Sequence, residues 1–178
     1  MKIPYRHQIT DVSCGAAVVE MVLKHCGIIR SQKEIIQLLQ FDDHGATNTS
    51  LRRLLESLRI PCQVYAQQSQ DKESHIPVLP TNALPQLMKH LDAGNLVILN
   101  YLSEDGETGH YVLVHSHDNE YLIVNDPDPV RGGPSVVLQQ DYLEQRWISG
   151  DKKWQKWFLV IDVPSKKKAG PGRSRATF

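Results

Sequence analysis

The chain has 178 residues, 40% of them apolar and 22% charged, and its twenty basic and twenty acidic side chains cancel at neutral pH. That size suffices for one domain with a substantial core, and the balanced charge points to neither a nucleic acid nor an anionic membrane as partner. The N-terminal run Met-Lys-Ile-Pro-Tyr-Arg-His-Gln lacks the apolar centre of a secretory signal, and no apolar run approaches the ~20 residues of a membrane span.

The first expected element is a helix over residues 14–26. Ala16, Ala17, Val18, Val19, Met21, Val22 and Leu23 make it apolar on nearly every side, and Gly27 is a natural stop. Ser31 suits the N-cap of a second helix, whose apolar face is Ile35, Ile36, Leu38 and Leu39. A polar loop from Asp42 to Asn48 follows. Thr49 or Ser50 then caps a third helix carrying Leu51, Leu54, Leu55 and Leu58 at helical spacing.

Beyond Pro61 the pattern changes. Residues 62–66 read as a short strand, and the polar stretch from Gln67 to Pro80 as a long loop or crossover. Ala83 to Leu91 is helical, and Leu96 to Tyr101 is a buried strand. Tyr111–His115 and Tyr121–Val124 flank Ser116-His117-Asp118-Asn119, whose composition suits a hairpin turn. Val136–Leu138 and Phe158–Ile161 complete an antiparallel sheet, with a short helix near 140–147 between them. The expected layout is α+β, an N-terminal helical part packed on a C-terminal antiparallel sheet. Residues 1–163 form the domain. Residues 164–178, poor in apolar side chains and carrying five positive charges, read as a basic disordered tail.

Cys14, Cys26 and Cys62 are odd in number and have no close partners, which argues against a disulfide framework or a zinc knuckle. A reducing cytoplasm is the default compartment, and export by a route independent of a signal peptide is compatible with it. Cys26 and Cys62 fall in apolar segments and read as core filling.

Cys14 is different. It lies where a loop becomes a helix, and the positive end of the helix dipole favours thiolate over thiol there. Gln8, six residues upstream, carries an amide able to donate to a developing oxyanion. His110 follows Gly109 and opens an apolar strand, while Asp126 ends the next strand, between Asn125 and Pro127. If those two strands pair as a hairpin, Asp126 lies beside His110 and can hold the imidazole in the right tautomer. Asp128, two residues on, is a weaker choice for that role. His115, His117 and Asp118 lack third and fourth ligands at metal spacing, so neither a metal nor another cofactor is expected. Asp11 reads as a turn residue and the Gly132-Gly133 pair as a turn rather than a phosphate loop.

As an ordered set, Gln8…Cys14-Gly15, the glycine-containing loop and helix from Gly45 to Leu58, Gly109-His110-Tyr111-Val112 and Asp126-Pro127 resemble the papain-like cysteine peptidases that process bacteriocin leader peptides ending in a double glycine. The resemblance runs from about Gln8 to Ile161. It implies a papain-like fold, Cys14, His110 and Asp126 as the catalytic triad, Gln8 as oxyanion donor, and a peptide or protein substrate cleaved at a peptide or isopeptide bond through a thioester. Two departures stand out. Ser13 precedes the nucleophile where the family often has Asp, and nothing in the chain resembles the membrane exporter to which such peptidases are usually fused, so the resemblance is to a stand-alone form. Related papain-like folds also carry out acyl transfer of the transpeptidase or transglutaminase type, or bind peptides without cleaving them.

Overall fold

The computed structural model describes residues 3–41, 43–69, 82–104, 106–148 and 154–163. Three helices come first: α1 (Cys14–His25), α2 (Gln32–Leu39) and α3 (Asn48–Ser57). The strands β1 (Cys62–Tyr65) and β2 (Gln68–Ser69) follow, then α4 (Ala83–Asp92), β3 (Leu96–Leu102), β4 (Gly109–His117), β5 (Tyr121–Asp126) and β6 (Gly133–Gln139). The chain continues through α5 (Gln140–Arg146), β7 (Trp154–Gln155) and β8 (Phe158–Ile161).

Two helices, α2 and α3, start where side chains satisfy the first free amides. Ser31 accepts from Glu34 N while the Glu34 carboxylate accepts from Ser31 N, a reciprocal capping box at the head of α2. The head of α3 is one turn's detail away from expectation: the N-cap is Thr47, not Thr49 or Ser50. Thr47 Oγ1 accepts from Ser50 N and Ser50 Oγ accepts from Thr47 N, at 3.1 and 3.0 Å. Ser50 thus closes the box from the third helical position, and only a Thr47 cap satisfies both amides. Asn48, the next residue, is buried and serves the core.

One six-stranded antiparallel sheet has the order β1-β8-β3-β4-β5-β6, and β2 pairs separately with β7. β1 joins the edge of the sheet through β8, pairing Cys62 with Ile161 and Tyr65 with Phe158. The sheet is covered on both faces. Alternation along β3 sends Leu96 and Ile98 into a core shared with α1, α2 and α3, and Val97, Leu99 and Tyr101 into a second core with Ala83, Leu87 and Leu91 of α4 and Leu143 of α5. With both faces buried, β3 reads as an unbroken apolar run and hides its alternation.

The hairpin between β4 and β5 turns at residues 118–120 instead of 116–119, since β4 continues through His117. Asp118 Oδ1 closes that turn by accepting from Glu120 N and Tyr121 N. Of the long polar stretch after Gln67, β2 pairs with β7, and residues 70–81 lie outside the described residues, as does the 164–178 tail. Among the described residues no helix is long and apolar enough to cross a membrane.

Candidate active site

Three element ends meet at one edge of the fold. Cys14 is the first residue of α1, His110 the second of β4, and Asp126 the last of β5. Strand alternation aligns the latter two: Val112 and Val114 of β4 and Leu122 and Val124 of β5 all enter the core on the α4 side. His110 and Asp126 continue those two rows past the end of the core. His110 Nε2 lies 2.8 Å from Asp126 Oδ1. The Cys14 side chain is close enough to the imidazole to favour its charged form. With Nε2 committed to the carboxylate, Nδ1 is the nitrogen left for the thiol.

Burial disfavours the imidazolium, but the hydrogen bonds and charges of Asp126 and Cys14 outweigh it, and His110 is pushed up from 6.5 to about 10. Tyr101, opposite His110 in the β3–β4 register, sets its ring edge-on to the imidazole at 5.8 Å between centroids. Burial, with Asp126 next, pushes the Tyr101 phenol upward, so it stays neutral and adds no competing charge.

Asp126 is held from its own loop. Its Oδ1 also accepts from Asp128 N at 2.9 Å. Asp128 turns its carboxylate into the loop, where Oδ1 accepts from Val130 N and Arg131 N at 2.7 and 3.0 Å. Asp128 thus builds the turn that presents Asp126 and does not replace it. Gly132 packs under this turn. A methyl group there would lie 2.4 Å from Asp126 O, 2.6 Å from Asp128 O and 2.8 Å from Asp126 Oδ1. Gly132→Ala must push the carboxylate aside, and displacements of about 1 Å cost up to ~10²-fold in rate. Loss of kcat/KM of about that size, in a protein whose Cys14 still alkylates, is the expected result.

α1 starts close against its neighbours because Gly15 has no side chain. A methyl there would approach Ala46 Cβ to 2.9 Å and the Tyr111 ring to 3.3 Å. Cys14 itself is 7% exposed. The other two thiols are poorly suited to reaction. Burial, then the Glu56 charge, pushes Cys62 up to about 11, and burial raises Cys26.

Gln8 lies in the segment that crosses the end of β5 before entering α1. Its N–H donates to Pro127 O at 2.8 Å, which joins it to the loop bearing Asp126. Its Nε2 donates to Asp11 O at 3.2 Å. Since a carbonyl only accepts, that bond orients the amide with nitrogen toward Asp11, and Oε1 is buried without a hydrogen-bond partner among the described residues. Asp11 therefore enters through its main chain.

His117 pairs with Asp92 at 2.9 Å, and His115 lies 3.4 Å from both Ser116 and Ser135 hydroxyls. Among the described residues no three His, Cys, Asp or Glu side chains converge as metal ligands. Sequence reasoning missed Tyr101, Gly132 and Gln32. Tyr101 looks like one more apolar strand residue, and Gly132 like an ordinary turn glycine. Gln32 carries no local signal at all, since it meets its partners across 12 to 25 residues.

The Peptidase C39 family matches residues 2–150. Curated proteins give no match to the sequence. Among solved structures, the peptidase domain of Streptococcus ComA, a bi-functional ABC transporter involved in quorum sensing, is similar with a TM-score of 0.66 and 18% identity, covering 90% of this chain and 99% of that one. A C39-like peptidase from Bacillus anthracis is similar at TM-score 0.62 and 16% identity, over 92% of this chain and 96% of that one. A double glycine motif protease from an AMS/PCAT transporter, solved in complex with its leader peptide, follows at TM-score 0.59 and 15% identity, over 91% and 93%.

Proposed function

This chain belongs to the peptidase C39 family, and from that premise we propose that it hydrolyses a peptide or isopeptide bond through Cys14, His110 and Asp126. It is a cysteine-type peptidase with a papain-like α+β fold. The observation that carries the assignment of roles is the Asp126 carboxylate 2.8 Å from His110 Nε2, with the Cys14 side chain beside the same ring.

In the proposed reaction His110 takes the Cys14 proton, and the thiolate attacks the scissile carbonyl. The second N–H of the Gln8 amide and the Cys14 backbone N–H stabilise the tetrahedral oxyanion. His110 then gives its proton to the leaving amine, whose bond to carbon breaks as the thioester forms. Water, deprotonated by His110, hydrolyses the thioester and restores the thiol. Asp126 holds the tautomer that keeps Nδ1 toward Cys14 and stabilises the imidazolium. A leader peptide occupies the AMS/PCAT neighbour, which supports a peptide as substrate here.

The raised His110 predicts a pH profile. Its charged form is supported in the folded protein, so the stability it adds is present in full below about 6.5 and is lost as pH rises through about 10. The alkaline limb of kcat/KM follows the same group. Asp126→Asn removes the charge that supports the imidazolium, so that limb should move to lower pH by about 1–3 units. An alkaline limb that stays in place would remove Asp126 from this role.

The reaction itself is tested by incubating the protein with a peptide panel, with and without an added primary amine, and identifying products by mass spectrometry. Hydrolysis gives a free carboxylate under both conditions and none with Cys14→Ala. Turnover retained by Cys14→Ala overturns the assignment, and products that carry the added amine reassign the chemistry to acyl transfer.

A further inference from the structure

Gln32 is the first residue of α2, a position that ordinarily faces water, yet it is 5% exposed. A buried primary amide is costly unless both ends are satisfied, and here both the oxygen and the nitrogen have partners. Oε1 accepts from Ile9 N at 2.9 Å and lies 3.1 Å from the Ser13 hydroxyl. Nε2 donates to His7 O at 3.0 Å and to Glu20 Oε2 at 3.3 Å. Glu20 is in turn fixed by Arg6, whose Nε donates to Oε1 at 2.9 Å.

The two main-chain partners flank Gln8. His7 O and Ile9 N belong to the peptide groups on either side of that residue, so one amide side chain grips it as a neighbouring strand would. The Gln8 N–H is held from the other side by Pro127 O at 2.8 Å. The Cα–Cβ direction of Gln8 is thereby set on three sides. Ser13 extends the grip to the nucleophile. It is fully buried and directly precedes Cys14; its hydroxyl accepts from Thr10 N at 2.9 Å, shares the Ile9 N–H with Gln32 Oε1 at 3.1 Å, and has its one hydrogen within reach of Thr10 O and Gln32 Oε1 at 3.0 and 3.1 Å.

We propose that Gln32 is a positioning residue for the oxyanion site, setting through one clasp the Gln8 amide and, by way of Ser13, the Cys14 N–H. The proposal rests on the roles assigned above to Gln8 and Cys14. Gln32 touches neither substrate nor reacting atoms and acts through those two donors alone.

Two reactions of the same thiol separate this role from general support of the fold. Acylation by p-nitrophenyl acetate passes through an oxyanion, whereas alkylation by iodoacetamide does not. Both rates are measured at Cys14 after subtracting the signal of Cys14→Ala. Gln32→Met, which keeps the volume and removes the clasp, should slow acylation by about 10- to 100-fold and leave alkylation within about twofold. In a Gln8→Ala background it should slow acylation by less than about threefold, because only the part of its effect carried by Ser13 to the Cys14 N–H remains. Ser13→Ala, which removes one tie and little volume, should slow acylation in the same direction and carries the test if Gln32→Met does not fold. Equal loss of both rates, an undiminished effect in the Gln8→Ala background, or no loss of acylation overturns the proposal. A wild-type protein acylated no faster than Cys14→Ala overturns instead the underlying assignment of Cys14.

Discussion

Cys14→Ala is expected to abolish turnover, and His110→Ala to lower it by ~10⁴–10⁶-fold. Both expectations follow from one geometry. The thiol is the only covalent participant in the proposed reaction, and His110 handles every proton that moves. Cys14 is one of the buried residues packed at the head of α1, and alanine removes only the sulfur, so the helix should keep its place. His110 is at the open end of β4, where its neighbours Tyr111 and Val112 supply the packing. Loss of the ring therefore leaves the strand paired with β3 through Tyr111 and Asn100. Kinetics on folded variants, checked by circular dichroism, measure the two losses, and activity in His110→Ala within tenfold of the parent would contradict the proton-transfer role.

Gln8→Ala is expected to cost ~10²–10³-fold in kcat with little change in KM, the usual effect of deleting one oxyanion donor. The loss is partial because the Cys14 N–H remains. The backbone of Gln8 bonds to Pro127 O and its amide nitrogen to Asp11 O, which fixes both. An amide fixed in advance costs no reorganisation when charge develops on the carbonyl oxygen. Gln8→Glu offers a sharper comparison. It replaces the donor with a carboxylate that repels the oxyanion, and its kcat should fall below that of Gln8→Ala at neutral pH. A rise in KM with unchanged kcat would assign Gln8 to substrate binding instead.

The parts of the fold governed by local pattern were legible before the structure. α1 is apolar on nearly every side and is buried except at Glu20, Lys24 and His25, and the Ser31 cap holds α2 as its sequence suggests. The contact between His110 and Asp126 was also legible, because a hairpin with period-two alternation brings the open ends of two strands together. What escaped was long-range. Nothing near Cys62 says that it pairs with Ile161, and nothing in residues 83–92 or 140–146 says that those helices cover the second face of the sheet. Thr47 was passed over as a cap because Thr49 and Ser50 offered the same chemistry two and three residues later. Gln32 is the clearest case: its partners are His7, Ile9, Ser13 and Glu20, and only the folded chain brings the five together.

The same contrast between local and assembled chemistry distinguishes the three thiols. Cys26 and Cys62 are half-buried and burial raises both, so each is held in the unreactive thiol form at neutral pH. Cys14 has a histidine beside its sulfur, and that histidine is backed by a carboxylate. Accessibility by itself predicts a different order, because Cys14 is the most buried of the three. Reactivity and exposure therefore make opposite predictions for this protein. Substoichiometric iodoacetamide at neutral pH, with the modified cysteine located by peptide mass spectrometry, decides between them: label concentrated on Cys14 and lost in His110→Ala is the predicted result, and label spread over Cys26 and Cys62 with Cys14 untouched would contradict the account.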